Sequence, residues 1–521
     1  MRELLNGLSR YIEYDLRNDL FARLATLDAS WYGRTRTGDI MARLTNDLGA
    51  VRMASGPAIM YLVNTIAGGI FAMACMASIS VRLTLLAIIP ALMIPLIMLR
   101  LGKLVHDRFE AVQEHFGTMT THAHENLAGA RIVRAYRQEA SEVARFTALG
   151  EEYLRRNMAL ARLNALLHPS FGLLAGLGAV VVLGVGGTLA VNGTITIGSF
   201  VAFGLYLGML TWPLIALGWV INLFQRGAAS MSRLLEILDA QPSVHEPVTP
   251  HPMPSAGQRG GRALEFRGVG FHYPGAGERD GSPRWVLRDV SFTVEPGQTL
   301  GVVGAIGAGK SALLDLVPRF FDPQEGEILL DGVPLRDLSL AELRREIGAV
   351  PQESLLFGEA IASNLQYGLS HDDAAVMRWA AGVSQLDRTV EEFTDGYDTM
   401  LGERGINLSG GQKQRATLAR ALARRPRVVI LDDALSAVDT HTEADILRGL
   451  RSALSGRTAL VASHRVSAIR DADQIIVLDG GRIVERGSHD ALLAQRGRYW
   501  QLLNRQLLQE SVEEEEGALA S

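Results

Sequence analysis

Apolar residues are concentrated in the first 240 positions of the chain, and charged residues become frequent only after them. No charged side chain lies between Arg52 and Arg82, and this run is long enough to cross the apolar core of a bilayer as a helix. A second apolar run, 83–99, contains Pro90 and Pro95, which transmembrane helices tolerate. The pattern predicts two membrane spans in this part of the chain.

A third uncharged stretch covers 163–225 and is interrupted by a polar, turn-forming segment at 191–199. These runs are apolar on all sides, whereas a core helix of a soluble protein carries a polar face at the helical period. The sequence therefore predicts four membrane spans, at about 56–80, 83–102, 165–191 and 198–222.

The loop between the second and third predicted spans is rich in arginine. Positively charged loops stay on the cytoplasmic side of a membrane, so we expect this loop to be cytoplasmic. Its pattern is helical nearly throughout, which predicts membrane helices that extend well beyond the bilayer. We expect a multi-pass transmembrane domain at 1–240, located in the plasma membrane. The arginines of the loop are Arg108, Arg131, Arg134, Arg137, Arg145, Arg155 and Arg156.

The composition changes near residue 240. Proline and glycine become frequent in 241–262, which is typical of a linker. In 263–506, short β-rich runs alternate with helical ones, and this alternation predicts a largely parallel sheet flanked by helices. The end of the chain, 507–521, contains four consecutive glutamates and is interpreted as an acidic, disordered tail. We therefore expect a second, cytoplasmic domain of the α/β class.

Charge and lysine usage narrow the choice of function. The formal net charge is −5, so the chain has no basic field for phosphate backbones, and nucleic acid is not an expected partner. Only three of the 51 basic residues are lysines, namely Lys103, Lys310 and Lys413. Because arginine serves nearly everywhere else, each lysine marks a position where a compact positive charge is needed.

A phosphate-binding loop is predicted between a strand at 300–303 and a helix at 312–316. Its glycines let successive backbone N–H groups surround a phosphate, and the helix amino terminus adds positive potential. Lys310 is expected to reach the terminal phosphates of a nucleotide, and Ser311 to bind magnesium. The loop consists of Gly304, Ala305, Ile306, Gly307, Ala308, Gly309, Lys310 and Ser311.

The apolar run 428–431 ends in Asp432, an arrangement that places a carboxylate beside the phosphate loop to hold magnesium. It follows the pentapeptide 408–412, Leu-Ser-Gly-Gly-Gln. With this pentapeptide the chain resembles the ATP-binding cassette (ABC) transporters of the exporter type, whose signature sequence it contains unaltered. The resemblance covers nearly all of 30–500. It implies an α-helical transmembrane domain joined to an α/β P-loop NTPase domain, an ATPase that uses ATP and Mg²⁺ for export.

The resemblance also implies roles for single residues. In this family two ATP-binding domains face each other head to tail, and each ATP is held by the phosphate loop of one subunit and the signature of the other. Tyr273 is expected to stack on adenine. Gln352 is expected to bind magnesium and sense the attacking water, and His464 to contact the γ-phosphate. The signature residues that would face the partner's ATP are Ser409, Gly410, Gly411 and Gln412.

The family resemblance further predicts how the two domains communicate. The loop that contains Glu403 is expected to touch the cytoplasmic turns of the membrane helices. Two such turns are expected, near 38–47 and near 126–136, and they would convert closure of the ATP domains into helix movement.

One departure from the family pattern concerns hydrolysis. A glutamate usually follows the magnesium aspartate and orients or deprotonates the attacking water, but this chain has Asp433. Its carboxylate is one methylene short, and a displacement of about 1 Å can cost on the order of a hundredfold in rate. We expect ATP binding with slow hydrolysis, as in the subunit that carries the degenerate site of a heterodimeric exporter.

Another departure concerns the start of the chain. Exporters of this type have six spans per subunit, and the turn that matches 37–47 normally follows the second span. The sequence therefore suggests that amino-terminal spans are missing, through a misassigned start or a truncation. Three interpretations stay open: a heterodimeric exporter subunit, a homodimeric lipid or drug flippase, and a truncated nucleotide-binding membrane protein that does not transport. Because the spans are apolar apart from Arg100 near the end of the second, the expected substrate is small and hydrophobic or amphipathic.

Overall fold

The computed structural model describes residues 2–255, 260–274, 283–402, 405 and 407–507. Glu403 and nearly all of the predicted acidic tail lie outside the described residues. Contacts divide the chain into two compact units. One unit is formed by the residues up to Ala25 together with Thr37–Ala240, and the other by Thr26–Arg36 and the chain from Gln241 onwards.

Long helices make up the first unit. Single π-helical turns at Arg43–Asp47, Ala54–Ala58 and Val182–Gly186 join neighbouring helices, so that 37–79 and 139–191 are each one continuous helical stretch. The helices up to residue 240 are α1 (Arg2–Thr26), α2 (Ala29–Arg34), α3 (Thr37–Ala42), α4 (Leu48–Met53), α5 (Ile59–Ile79), α6 (Val81–Ala128), α7 (Ala130–Ala135), α8 (Glu139–Val181), α9 (Gly187–Val191) and α10 (Ile197–Leu238).

All four predicted spans fall in helical stretches of this unit. Among the described residues, Thr37–Ile79 and Gly172–Val191 are long and apolar enough to cross a membrane, and Val81–Pro90 and Ile197–Leu210 are shorter apolar helical stretches. The number and the limits of the spans stay predictions. The polar break predicted near 191–199 is the connection between α9 and α10, where the Thr196 side chain caps α10 by accepting the Ser199 N–H.

Side-chain packing holds these helices together. α5 packs along α10 and α6 along α8. Met76, Leu83, Ala87, Val182 and Phe203 form a small buried cluster. Where the chain becomes polar, the buried carboxylate of Asp47 accepts hydrogen bonds from Ser230 Oγ at 2.8 Å and Arg233 Nε at 2.8 Å, both on α10.

Two sheets form the centre of the second unit. An antiparallel sheet has the strand order β2-β1-β4-β5, and a six-stranded sheet has the order β10-β9-β3-β8-β7-β6. The strands β9, β3, β8, β7 and β6 run parallel, and β10 is antiparallel to β9. The strands are β1 (Leu264–Phe271), β2 (Leu287–Val294), β3 (Thr299–Gly304), β4 (Glu325–Leu330), β5 (Val333–Pro334), β6 (Ile347–Val350), β7 (Val428–Asp432), β8 (Thr458–Ala462), β9 (Gln474–Asp479) and β10 (Arg482–Gly487).

Helices cover both faces of the parallel sheet, and two apolar cores result. One core contains β3, α11 and the antiparallel sheet, and the other contains α14, α16 and α17. The central strand β7 is buried along its whole length, as expected for a parallel strand covered on two faces. The helices are α11 (Lys310–Leu316), α12 (Leu340–Glu346), α13 (Ile361–Gln366), α14 (Ala374–Val383), α15 (Asp387–Glu391), α16 (Gly410–Ala423), α17 (Thr440–Leu454) and α18 (His489–Gln495).

The short helix α2 belongs to this second unit by its contacts. Asp28 caps α2 by accepting the Trp31 N–H at 3.1 Å, and it also accepts the Val244 N–H at 3.0 Å and hydrogen bonds from Ser243. Burial acts to raise the pKa of Asp28, but these hydrogen bonds outweigh it and the pKa lies below its usual value. One carboxylate therefore joins α2 to the start of the predicted linker.

The first unit also contains the two predicted cytoplasmic turns. The turn near 126–136 contains a separate short helix, α7.

Candidate active site

The predicted phosphate loop and four of the other predicted site residues lie at one edge of the parallel sheet. The phosphate loop follows β3, Gln352 follows β6, Asp432 and Asp433 end and follow β7, and His464 follows β8. Because the carboxyl ends of parallel strands meet at the same edge, residues distant in sequence come together there. The sheet order β3-β8-β7-β6 makes these four strands neighbours.

The phosphate loop turns between β3 and α11 in the conformation that its glycines allow. Gly307 and Gly309 have φ angles of +81° and +102°, which residues other than glycine rarely adopt. A Cβ on Gly309 would also lie 2.9 Å from the Val286 carbonyl oxygen. The Lys310 Nζ donates to the carbonyl oxygens of Gly304 at 2.9 Å and Ala305 at 3.2 Å, which holds the ammonium over the loop.

Burial shifts the pKa values of the ionisable residues around this loop. It lowers the pKa of Lys310, while the nearby carboxylates Asp433 and Asp432 act in the opposite direction. Burial also raises the pKa of Asp432, although a hydrogen bond from Ser311 opposes the shift. Asp315, one helical turn after Ser311, has its pKa raised to about 6 by burial and by the charge of Asp432. The carboxylates of Asp315 and Asp432 therefore repel each other when both are ionised.

This donor set fits a magnesium ion. No group of three His, Cys, Asp or Glu side chains able to hold a metal occurs among the described residues. Magnesium suits such a site, because it is bound through one or two carboxylates and takes its other ligands from substrate phosphates and water. Asp432 and Ser311 would hold the ion, and its charge would offset the repulsion between Asp432 and Asp315 and neutralise phosphate oxygens.

Asp433 and His464 are in direct contact. His464 Nδ1 lies 2.7 Å from Asp433 Oδ2, and the Ser463 hydroxyl is 3.5 Å from the other carboxylate oxygen. Asp433 adopts a φ of +50°, and its N–H donates to the Ala462 carbonyl at 2.9 Å. The carboxylate is largely covered, at 12% side-chain exposure, whereas His464 is half exposed. The contact occupies Nδ1 and leaves Nε2 of the histidine for a ligand.

Tyr273 and Gln352 have different surroundings. The Tyr273 ring makes edge-on contacts with Phe271 at 4.9 Å and Phe321 at 5.3 Å between ring centroids. Burial raises the pKa of Tyr273 to about 12, with the charges of Asp315 and Asp432 adding to the effect, so the phenol is neutral near pH 7. Gln352 is exposed in a bend just beyond β6. Their expected contacts with adenine and magnesium stay predictions.

The signature residues form the start of α16. Ser409 is its N-cap: its hydroxyl accepts the Gln412 N–H at 3.3 Å, and Gln412 Oε1 accepts the Ser409 N–H at 2.9 Å. Gly410 is exposed at this helix terminus. In the part of the chain that the structure describes, no hydrogen bond joins the signature residues to the phosphate loop.

Comparison with known proteins supports the same reading. The family model described as ABC transporter transmembrane region matches residues 4–214, and the one described as ABC transporter matches 287–436. A probable multidrug resistance ABC transporter ATP-binding/permease protein, YheI of Bacillus subtilis, is 38% identical over 512 residues, 98% of this chain and 85% of its own length. An ATP-dependent lipid A-core flippase of Syntrophus aciditrophicus is 34% identical over 99% of this chain and 84% of its length. This chain belongs to the ABC transporter family.

A solved structure extends the likeness to three dimensions. The structure of a bacterial Atm1-family ABC exporter with ATP bound has a TM-score of 0.79 and 29% identity, covering 96% of this chain and 86% of the other. The ABC exporter chain described here thus combines a helical transmembrane region with an α/β nucleotide-binding domain, as the sequence predicts. It is an ATPase whose activity is coupled to transport, in a multi-pass membrane protein.

Two residues at this ABC exporter's site were missed by motif reading. Asp315 lies outside the phosphate-loop pattern, yet its spacing of four after Ser311 places it on the same face of α11. Gln414 lies just beyond the signature, and its signal is a polar residue at a buried position of α16. Helical periodicity could have found both.

Proposed function

We propose that this chain is one half of a heterodimeric ABC exporter, in which it binds ATP but hydrolyses it slowly at its own phosphate loop. The observation that carries this proposal is the carboxylate at position 433, which is one methylene shorter than that of glutamate and already contacts His464. Asp433 Oδ2 lies 2.7 Å from His464 Nδ1, so the carboxylate is drawn toward the histidine. A glutamate would reach about one methylene further toward an attacking water, and positioning of that order decides such rates.

The roles of the other residues follow from their chemistry. The phosphate loop and Lys310 would bind the phosphates, Tyr273 would stack on adenine, and Asp432 with Ser311 and Gln352 would hold magnesium. His464 would contact the γ-phosphate through Nε2. The start of α16 would present Ser409, Gly410 and Gly411 to an ATP bound by the other subunit, because a helix amino terminus attracts anions. The chain would thereby complete its partner's site.

The exported molecule would be small and hydrophobic or amphipathic. Within the predicted spans the one charged residue is Arg100, near the end of the second span, and this composition favours an apolar or weakly polar path. Curated relatives are described both as multidrug resistance proteins and as lipid A-core flippases, so the comparisons support drugs and lipids equally. A homodimeric flippase is the second candidate, favoured by the similarity to the flippases and by the intact signature in this chain.

Replacing Asp433 tests the proposed slow site. Asp433→Glu should raise the ATPase rate of the heterodimer by on the order of ten- to a hundredfold at this chain's site. Asp433→Asn removes the charge without adding length and should give no increase. The full chain should be measured alone and with a second ABC subunit, with the rate of phosphate release as the readout. Robust turnover by the pure wild-type chain would reject the heterodimer and favour the homodimer.

Transport can be separated by substrate class in the same preparation. In proteoliposomes, translocation of a fluorescent phospholipid and ATP-driven accumulation of a hydrophobic dye can be followed side by side. Movement of either that depends on Lys310 supports export, and the one that moves identifies the class. If neither substrate class nor any lipid extract alters ATP turnover, export by this chain is contradicted and the non-transporting alternative is favoured.

A further inference from the structure

Gln414 lies on the buried side of α16, two residues beyond the signature pentapeptide, and is 5% exposed. Its amide bonds the turn 433–439 that follows β7. Nε2 donates to the Asp433 carbonyl oxygen at 3.3 Å and to Ser436 Oγ at 2.9 Å, and Oε1 accepts the Ala437 N–H at 2.9 Å. Because a carbonyl can only accept and an N–H can only donate, these partners fix the orientation of the amide.

The same turn is connected to the residue that follows His464. The Ser436 carbonyl accepts a hydrogen bond from Arg465 Nη2 at 3.3 Å, and Arg465 directly follows His464. Arg465 Nη1 in turn donates to the buried Glu443 at 2.5 Å. A continuous chain of polar contacts therefore leads from Gln414 on α16 to the residue next to His464.

The apolar side chains of the turn, Ala434, Leu435 and Val438, are buried in the domain core. A cavity of about 250 Å³ lies behind the turn, and Ser436, Glu443, Ser463 and Arg465 are among the residues that line this cavity. Asp433, at the start of the turn, has a φ of +50°, a conformation that costs energy for a residue other than glycine. The amide of Gln414 therefore bonds three polar groups of a turn that is strained at Asp433 and borders this cavity.

We propose that Gln414 is a positioning residue that ties the signature helix to Asp433 and His464. Docking of the partner's ATP on Ser409, Gly410 and Gly411 displaces α16, and the three hydrogen bonds of Gln414 transmit that displacement to the hydrolytic residues of the same chain. The two ATP sites of the dimer are thereby coupled through one amide. This inference rests on the proposed function, since it needs a partner that brings ATP to the signature.

The test replaces the amide without emptying the space that it fills. Gln414→Met has a similar volume but can neither donate nor accept these hydrogen bonds. Thr417→Val is the matched control, because Thr417 is equally buried on α16 and its hydroxyl bonds the Lys413 carbonyl of its own helix at 2.9 Å. Ser436→Ala removes the hydroxyl that Gln414 Nε2 contacts, which allows a double-mutant cycle.

The full chain is assayed in proteoliposomes together with its second subunit. The two chains are then separated by electrophoresis, so that the label on each can be measured. Photolabelling with 8-azido-ATP on ice reports binding on this chain, and vanadate-dependent trapping of nucleotide at 37 °C, over a time long enough for a slow site, reports hydrolysis. We expect Gln414→Met to reduce trapping on this chain by on the order of tenfold while binding stays within about twofold. Thr417→Val should leave both unchanged, and Gln414→Met with Ser436→Ala should be no worse than Gln414→Met alone.

Other results overturn the inference. Unchanged trapping in Gln414→Met would show that the amide positions nothing. Equal losses of binding and trapping, together with a lower unfolding temperature, would assign Gln414 a purely structural role. In both cases the wild-type complex still hydrolyses ATP, so the proposed function stands. If the wild-type complex itself binds ATP on neither chain, the proposed function fails and the inference with it.

Discussion

The two faces of the ATP domain that would bind nucleotide differ in the burial and the charge of their residues. The phosphate-loop face is made of partly buried charges, and burial shifts the pKa values of Lys310, Asp315 and Asp432. The signature face is made of small, exposed residues at a helix amino terminus, with Ser409 and Gly410 open to solvent. The first has the charge and enclosure to bind phosphate by itself. The second offers only backbone N–H groups and a hydroxyl, so it can act only on an anion that is brought to it.

The largest effect should come from removing the positive charge of Lys310 from the phosphate-loop face. Lys310→Ala should weaken ATP binding by about a hundredfold, because charged hydrogen bonds contribute roughly 1.5–3 kcal/mol. Lys310→Arg keeps the charge but not the compact ammonium, and it should also bind weakly if the point-charge argument holds. Equilibrium binding of a fluorescent ATP analogue to the full chain measures both. Binding by Lys310→Ala that equals wild type would mean that the signature face, and not the phosphate loop, carries the affinity.

The next largest effect should come from a substitution on the signature face. A Cβ on Gly411 would lie 2.7 Å from the Ala437 carbonyl oxygen, so an alanine there must push α16 away from the turn 433–439. Gly411→Ala should lower ATP turnover of the dimeric exporter by a few tens of fold. Binding at this chain's own phosphate loop should be unaffected, because the change lies on the other face.

Gly410→Ala is the matched control for the steric argument. Its Cβ would lie 3.5 Å from the Ala437 Cβ, an ordinary contact, so the unfolding temperature should stay at the wild-type value. Gly411→Ala should lower that temperature. If the two alanine variants unfold alike, the close approach of α16 to the turn does not limit this face.

Much of the fold could be predicted from local pattern. The alternation of apolar runs and turn-forming residues gives the parallel strands, and the glycine spacing of 304–311 gives the phosphate loop between β3 and α11. These features depend on neighbours in sequence. The comparisons confirm the family, the fold class and the ATPase activity that the motifs indicated.

Contacts between distant residues were harder to foresee. Nothing local shows that Asp433 would reach His464, 31 positions later, or that Gln414 would bond three groups of the turn 433–439. Such contacts depend on the order in which strands and helices pack, and that order is set by the whole domain. The left-handed conformation of Asp433 is likewise set by its surroundings, because aspartate adopts it more readily than most residues but does so at few positions.

The smallest predicted effect tests whether burial has an energetic cost on the enclosed face. Burial and the charge of Asp432 raise the pKa of Asp315 to about 6, above the usual value of 3.8. The folded state therefore holds this proton more tightly than the unfolded state, and ionisation of Asp315 costs stability as the pH rises from about 4 through 6. Asp315→Asn removes this cost and should stabilise the nucleotide-free protein at pH 7.5 by about 1–2 kcal/mol.

Thermal unfolding between pH 4 and 8 measures this effect. The advantage of Asp315→Asn over wild type should be absent near pH 4, grow through pH 6 and then level off. Asp372→Asn removes the carboxylate of an exposed aspartate and serves as the control. Magnesium and ATP should reduce the advantage of Asp315→Asn, because a cation beside Asp432 offsets the repulsion that Asp315 experiences. An advantage that is constant with pH would mean that Asp315 is solvated like the residues of the signature face, and the contrast between the two faces would then rest on Lys310 and Asp432 alone.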